Sequence, residues 1–589
     1  MKIILTTLNA KYSHSSLALR YLREYCRPSG NIVIREFTIN NRLLEILSQI
    51  YAEQPAVIGL ACYIWNIGMT LELADLLKKV LPDTVIVLGG PEVSYNPAEI
   101  MAANKAVDYI VQGEGEETLY RLLDRLKTKS GTAGISNLTC RNRHSVVSTG
   151  GAGIIQELGR IPFPYRDEEM AVLKDKIIYY ESSRGCPFSC QYCLSSTTSG
   201  VRFLPVDRVI RDLSFFIKHN VRQVKFVDRT FNANKAHYLP LLKFIAAQDC
   251  RTNFHFEIAA DLLDEESLSV LQTMPQGRVQ LEIGVQSTHE PTLAKIKRKN
   301  NWRKIVDHVT KLRSFGNIHI HLDLIVGLPE EGYERFGRSF NDVYGLRPHM
   351  LQIGFLKLLK GSGIRCTAEE HRYIYMESAP YQVLGNQYLS YGEIRKLHLL
   401  EEVFEQIYNS GRFSYSLNCF IETHGKDAFA FYTQLTEFWE ANKLHLIAHS
   451  AKALYGHLFD FCQNHLQMSR LLCAELLKFD ALMNDRGLIK PEMLDWNETK
   501  WNEETTRFWR NTQLVQKYIP DYQFCTWRDL KRKYHIEVFS FDIAAYLADR
   551  KKLILQNTPV LFFLERDKVD CRSIDMSDFW LGGQSNATI

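Results

Sequence analysis

No run in this chain of 589 residues approaches the roughly 20 apolar residues that cross a bilayer as a helix, which excludes a helical membrane span. The first residues, Met1-Lys2-Ile3-Ile4-Leu5, have neither a charged n-region nor a cleavage site, so a strand is expected there and not a secretion signal. Charge of one sign is also scarce. The balance of 71 Lys+Arg against 67 Asp+Glu leaves only +4, too little to argue for a polyanionic partner. The 13 cysteines form no paired framework, which excludes a disulfide scaffold and points to a reducing, cytoplasmic setting. Internal repeats and low-complexity tracts are missing as well. What remains is ordinary globular composition, 46% hydrophobic and 23% charged, long enough for three or four domains.

Against that background one stretch stands out, Cys186-Pro187-Phe188-Ser189-Cys190-Gln191-Tyr192-Cys193, following the apolar run Ile177-Ile178-Tyr179-Tyr180. Three thiols at CxxxCxxC spacing suit three irons of a [4Fe–4S] cube, whereas an electron carrier uses four cysteines. The missing ligand leaves one iron open to a small molecule. Structural zinc needs four ligands, usually as two Cys/His pairs, and the nearest other cysteines, Cys140 and Cys250, each stand alone.

The motif resembles the radical SAM signature CxxxCxΦC, with Tyr192 in the aromatic position. The resemblance implies that Cys186, Cys190 and Cys193 hold a [4Fe–4S] cluster whose open iron chelates S-adenosylmethionine (SAM). It further implies reductive cleavage to a 5′-deoxyadenosyl radical, with electrons from an external donor of the flavodoxin or ferredoxin type.

Upstream, over about residues 1–140, short apolar strands (Ile3–Leu5, Ile32–Ile34, Val57–Leu60, Val85–Leu88, Tyr109–Val111) alternate with amphipathic segments such as Thr70–Val80. This is the pattern of βαβ units and a buried parallel sheet, whose ligands bind at the carboxyl ends of the strands. The loops there read Asn9–His14, Cys62–Asn66, Gly89–Pro97 and Gln112–Thr118. None is GxGxxG after the first strand, so a dinucleotide is not expected. The pair GGPEVSYNP and VQGEGEET resembles the cobalamin domain that precedes the barrel in B12-dependent radical SAM proteins. Carried over, it implies a cobalamin site at Tyr63, Trp65, Asn66, Gly89, Gly90, Pro91, Gly113, Glu114 and Gly115. DxHxxG, which supplies a histidine to cobalt, is absent. His14 has no preceding aspartate and reads as a loop hydrogen-bonder in preference to an axial ligand.

Residues 141–174, with glycines at 150, 151 and 153 and Ile161-Pro162-Phe163-Pro164-Tyr165, read as a connector. Over about 175–360 the βα rhythm returns, now with strands apolar on one face and polar on the other: His255 and Glu257; Gln280, Glu282, Gly284 and Gln286; His319, His321 and Asp323. A sealed barrel is filled by branched apolar side chains. A polar interior therefore predicts an open, partial (βα)6 barrel. From the family, Asp228 is expected at the SAM amino group, Glu282 and Gln286 at the ribose, and Ile325–Glu330, a GLPxE turn, at adenine. His319, His321 and Asp323 share a face but read as lining a substrate cavity, not as a second metal site; His321 is a candidate acid/base.

Beyond 361 the rhythm stops. Helical stripes (Ile394, Leu397, Leu400, Phe404, Ile407; Phe429, Tyr432, Leu435, Trp439; Leu454, Leu458, Phe461) and two strands, Val538–Phe541 and Val560–Leu564, predict a mainly helical unit. The region resembles the DUF4080 extension of some cobalamin-binding radical SAM proteins and is expected to close the barrel mouth. The basic runs Lys295/Lys297/Arg298/Lys299 and Lys531/Arg532/Lys533 read as solvated helix faces, so nucleic acid is not indicated, and a monomer is expected. The expected fold is thus α/β: a doubly wound Rossmann-like cobalamin domain, a partial barrel and a helical extension. The expected activity is cobalamin-dependent methyl transfer to an unidentified substrate. Radical cyclisation without methyl transfer and a non-catalytic sensor are the alternatives.

Overall fold

The computed structural model describes residues 1–142, 145–150, 154–197, 200–496, 500–564 and 569–580, and divides into two compact units, 1–394 and 395–589. The glycines at 151 and 153 lie outside the described residues.

The first unit opens with a sheet of seven strands: β1 (Lys2–Asn9), β2 (Asn31–Thr38), β3 (Val57–Ala61), β4 (Val85–Gly89), β5 (Tyr109–Val111), β6 (Leu138–Asn142) and β7 (Ser145–Thr149). Their order is β2-β1-β3-β4-β5-β6-β7, with the first five parallel and the last two antiparallel. The sheet thus continues to Thr149, past the expected boundary at 140, because an antiparallel hairpin covers what would be the open edge of β5. Alternate β1 side chains go to opposite faces. Ile4 and Leu8 meet helices Leu43–Ala52 and Ile67–Val80, while Ile3 and Leu5 meet helices Leu17–Tyr25 and Gly115–Thr128. Both faces are covered, so the strands read as continuous apolar runs. Each fully buried aliphatic side chain contributes about 1.5–3 kcal/mol. The chain reverses its winding between β1 and β3, and the carboxyl end of that pair is where a crevice must open.

The connector then leads into six parallel strands: β8 (Ile178–Tyr180), β11 (Gln223–Phe226), β12 (Asn253–Ile258), β13 (Val279–Gln286), β14 (His319–Val326) and β15 (Met350–Phe355). They lie in the simple order β15-β14-β13-β12-β11-β8 and do not close. Between β8 and β11 the chain makes a two-stranded hairpin, β9 (Ser183–Gly185) with β10 (Val201–Phe203). In β13, buried and half-buried residues alternate without exception, the buried set being Val279, Leu281, Ile283 and Val285. Helices cover that apolar face, and the polar face lines the lumen, as the sequence predicts.

The expected start of the C-terminal region at 361 falls short of the observed division. The hairpin of β16 (Ile374–Tyr375) and β17 (Val383–Gly385) packs on the barrel: the Tyr373 hydroxyl donates to Gly327 O (2.9 Å) and Val383 N–H to Leu356 O (3.0 Å). The second unit is mainly helical, with Phe429, Tyr432, Leu435 and Trp439 buried along helix Ala428–Ala441 as one stripe. Helix Ala451–Asp460 ends one residue before Phe461, which is buried nonetheless. A three-stranded antiparallel sheet completes it: β18 (Tyr534–Phe539), β19 (Thr558–Phe563) and β20 (Asp570–Ser573).

Candidate functional site

The cysteine motif forms the tip of the β9–β10 hairpin. Gly185 precedes Cys186 with φ +100°, and a Cβ there would meet Gly200 O at 2.1 Å, so only glycine lets the two strands approach. The loop is pinned from two sides: Gln191 N–H donates to Ile296 O, and Ile364 N–H to Gln191 O, both 2.9 Å. Cys190 is buried, while Cys186 and Cys193 are half-buried, and Cys186 Sγ lies 3.6 Å from Thr230 Oγ1. Burial, together with the other two thiols, raises the pKa of Cys186. Metal cations relieve both effects. Among the described residues the three thiols do not form a compact group of the kind that holds one ion. A cube, with each cysteine on its own iron, fits that spread.

Beside this loop lies Arg298, assigned from sequence to a solvated basic face. It is instead half-buried, with its guanidinium turned inward. Nη1 donates to the Tyr192 hydroxyl (3.1 Å) and lies 3.7 Å from Cys190 Sγ, Nη2 donates to Gly284 O, and Nε is enclosed without a partner. Only the fold brings it there, because its neighbours Lys295, Lys297 and Lys299 do point to solvent.

A cavity of about 760 Å³ opens at the carboxyl ends of the first sheet. Its rim carries Asn9, His14, Tyr63, Trp65, Gly89, Gly90, Gly113, Glu114 and Gly115, and its apolar depth runs between the sheet and two helices past Leu5, Leu19, Gly59, Val87 and Leu119. Tyr63 and Trp65 stack at 4.6 Å, and the Trp65 indole donates to Leu8 O. Gly90 has φ +105°, and a Cβ there would meet Cys62 O at 2.6 Å. This glycine-lined cleft with an apolar slot fits a broad macrocycle with an appended tail, as cobalamin is.

Two of the residues expected at cobalamin are not at the cavity. Asn66 is buried, donating to Thr7 Oγ1, Leu8 O and Ala61 O and accepting from Tyr63 N–H. It therefore shapes the loop that carries Tyr63 and Trp65. Pro91 is exposed at the start of a short helix and is not among the residues lining the cavity. Glu114 lines the cavity, but its carboxylate accepts from Arg202 and from Ile155 N–H. His14 Nδ1 is bonded to the Tyr179 hydroxyl (2.7 Å), the hydrogen-bonding role expected of it.

The far wall of the cavity belongs to the barrel: Tyr179, Glu181, Arg184, Val227 and Arg229. Arg184 pairs with Glu116 (2.5 Å) and Glu181 (2.7 Å) and lies 3.5 Å from Glu114, so one guanidinium ties the two sheets together two residues before the first cluster cysteine. Sequence reasoning missed the pairings of Arg184 with Glu116 and of Arg202 with Glu114, since these partners lie about 70 to 90 positions apart along the chain.

Asp228 is a correction. It is fully buried, and its oxygens accept from Ser182 N–H (2.8 Å), Ser182 Oγ (2.7 Å) and Ser183 Oγ (2.5 Å). It braces the strand leading to the cysteines, and both of its oxygens are engaged by Ser182 and Ser183. Glu282 is likewise engaged, by Lys225 (3.0 Å) and His255 (2.9 Å), which overcome the effect of burial and hold its carboxyl at about 2. Gln286, by contrast, keeps a buried Oε1 without a partner.

Burial and the neighbouring Glu282 push Glu257 up to about 7. The fold therefore favours its protonated form. That contribution is fully present below the ordinary value of 4.5 and is lost as pH rises through 7. Glu257→Gln is expected to stabilise the barrel above neutrality by about 1–3 kcal/mol and to flatten the fall in stability with pH. Thermal unfolding at mildly acidic and mildly alkaline pH checks this; an unchanged pH dependence in the variant would refute it.

A three-thiol loop on an open six-stranded barrel, facing a glycine-lined cleft on a doubly wound sheet, defines the class of radical SAM proteins with a cobalamin domain. The family comparisons agree. Residues 3–123 match the B12 binding domain, 180–343 the Radical SAM superfamily, and 369–562 a protein of unknown function (DUF4080), so the chain carries these three domains in that order. Their cofactors are cobalamin, SAM and a [4Fe–4S] cluster. The chain is 29% identical over 325 residues to 2-(S-pantetheinyl)-carbapenam-3-carboxylate methyltransferase of Streptantibioticus cattleyicolor, covering 49% of this chain and 44% of that protein. It is 28% identical over 316 residues to the cobalamin-dependent radical SAM methyltransferase TokK of Streptomyces tokunonensis, covering 50% and 44%. The chain thus spans less than half the length of these curated relatives. Among solved structures, the cobalamin-dependent SAM radical enzyme OxsB, with aqua-cobalamin and SAM bound, shares the fold at a TM-score of 0.60 and 14% identity, over 83% of this chain and 82% of that one. No helix among the described residues is long and apolar enough to cross a membrane.

Proposed function

We propose that this protein is a cobalamin-dependent radical SAM methyltransferase. The observation that carries the reading is the shared wall: barrel residues Tyr179, Glu181 and Arg184 close the cobalamin-type cavity immediately before the cysteine loop. Bound there, the three cofactors supply a 5′-deoxyadenosyl radical and a transferable methyl group. Cys186, Cys190 and Cys193 hold the cluster, with Tyr192 and Arg298 flanking it. The enclosed Nε of Arg298 suits the carboxylate of SAM, since guanidinium–carboxylate pairing is charge-assisted and directional. Gln286 offers its unpartnered Oε1 to a ribose hydroxyl. The lumen of β11–β14, lined by Lys225, Glu257, Glu282 and His321, takes the substrate and excludes bulk water from the reacting atom. Proximity of this kind accounts for much of the advantage of prearranged reactants.

Reducing equivalents come from a flavodoxin- or ferredoxin-type donor, and the setting is cytoplasmic, where all 13 cysteines, unpaired in the structure, stay reduced. Arg298→Gln is expected to weaken SAM binding about 10- to 100-fold, the size of a charged hydrogen bond, with iron content unchanged. Equilibrium binding of SAM to the reconstituted protein measures it, and unaltered affinity would remove Arg298 from the site. Incubation with methyl-labelled SAM, following 5′-deoxyadenosine and label together, tests the activity. Deoxyadenosine without labelled product favours cyclisation, and no SAM cleavage at all favours a sensor.

A further inference from the structure

The lumen contains a second constellation, apart from the cysteine loop and from the residues that line the cavity on the first sheet. Glu282 on β13 stands directly across the parallel ladder from His321 on β14, and Asp323 follows His321 on the same face, opposite Gly284. One ligand atom from each of the three lies within 4.8 Å of the others. Sequence spacing grouped His319 with His321 and Asp323. In the fold, His319 lies one layer lower, opposite Gln280 and stacked on His349 at 4.9 Å, and Glu282 takes its place.

We propose that Glu282, His321 and Asp323 form a binding site for a divalent metal ion of the class that accepts mixed imidazole and carboxylate ligands, such as Mn²⁺, Fe²⁺ or Zn²⁺. The first support is the set of orphaned atoms. His321 is 5% exposed, yet neither ring nitrogen has a hydrogen-bond partner, and Asp323 Oδ1 is buried without one as well. His321 Nε2 lies 3.2 Å from Asp323 Oδ1, close enough for ion pairing but not aligned as a hydrogen bond. Buried polar atoms normally find partners, and a cation between them supplies one to each.

The second support is the surrounding shell. Lys225 and His255 both approach Glu282 Oε2, which orients the carboxylate. Ligating carboxylates are usually held by such outer contacts. Lys225 balances only one of the lumenal carboxylates Glu257, Glu282 and Asp323, and Arg229 lies near enough to Glu257 to act on it electrostatically. Two carboxylates and one imidazole leave further coordination positions for water or a substrate oxygen, the open arrangement of sites that act on a ligand.

The experiment uses the full-length protein with Cys186, Cys190 and Cys193 all replaced by alanine, so that the cluster loop cannot compete. Mn²⁺ is titrated while the electron paramagnetic resonance of the free ion is followed, and Co²⁺ is added in parallel for its visible spectrum. One Mn²⁺ per chain is expected, and a Co²⁺ spectrum without thiolate charge transfer. His321→Ala and Asp323→Asn should each weaken binding at least tenfold, with circular dichroism and hydroxocobalamin binding retained as evidence of folding. Absence of stoichiometric binding, or binding unchanged in both variants, overturns the proposal. Either result leaves the methyltransferase reading intact, since that rests on the cysteine loop and the cobalamin cavity.

Discussion

Cys186→Ala is expected to reduce the iron of anaerobically reconstituted protein from about four per chain to near zero and to abolish 5′-deoxyadenosine formation. Two thiolates cannot hold a cube that three already leave open at one corner. The loop that presents them is fixed independently of the metal, by Gly185 against Gly200 and by the two backbone bonds of Gln191, so the variant should fold with its hairpin in place. Cys366 is the control. It is exposed and lies two residues from Ile364, whose N–H donates to Gln191 O, which makes it a neighbour of the loop in the fold. Cys366→Ala should keep full iron and full SAM cleavage. Retention of iron and cleavage by Cys186→Ala would refute the cluster assignment, and their loss in Cys366→Ala would add a fourth ligand.

The second large effect is expected at cobalamin. Gly115→Leu should weaken hydroxocobalamin binding by at least about tenfold, or 1.4 kcal/mol, in an optical titration, while leaving iron content unchanged. A Cβ at Gly115 meets Val111 Cγ1 at 3.4 Å and Leu22 Cδ2 at 3.5 Å, ordinary contacts that the helix start tolerates. The rest of the leucine then extends into the cavity that Gly115 lines. Gly90 is a poorer probe. Its left-handed φ and the 2.6 Å approach to Cys62 O mean that any side chain there distorts the loop itself. Weak binding in a Gly90 variant would therefore report on the backbone, whereas Gly115→Leu reports on space. Unchanged affinity in Gly115→Leu would move the cofactor out of this cavity.

Much of the site was legible because the chemistry is local. Cys186, Cys190 and Cys193 fall within eight residues, and the glycines at 89, 90, 113 and 115 fall in turns whose strands announce themselves by apolar β-branched runs. Period-two alternation in β13 and β14 identified the lumenal faces before any neighbour was known. Asp228 and Asn66 failed for a common reason. A polar residue near a strand end either faces a ligand or braces a loop, and only its partners, Ser182 and Ser183 for Asp228 and Thr7, Leu8 and Ala61 for Asn66, tell the two apart.

By itself the sequence determined the class of sheets, the cluster loop and the order of domains, because strand periodicity, turn glycines and ligand spacing act over a few residues. Tertiary structure alone decided which charges meet. Arg184 with Glu114 and Glu116, Arg298 with Tyr192 and Cys190, and Glu282 with His321 and Asp323 are pairings across separate elements. Their energies depend on burial and on distances of a few ångströms, and a linear chain records neither.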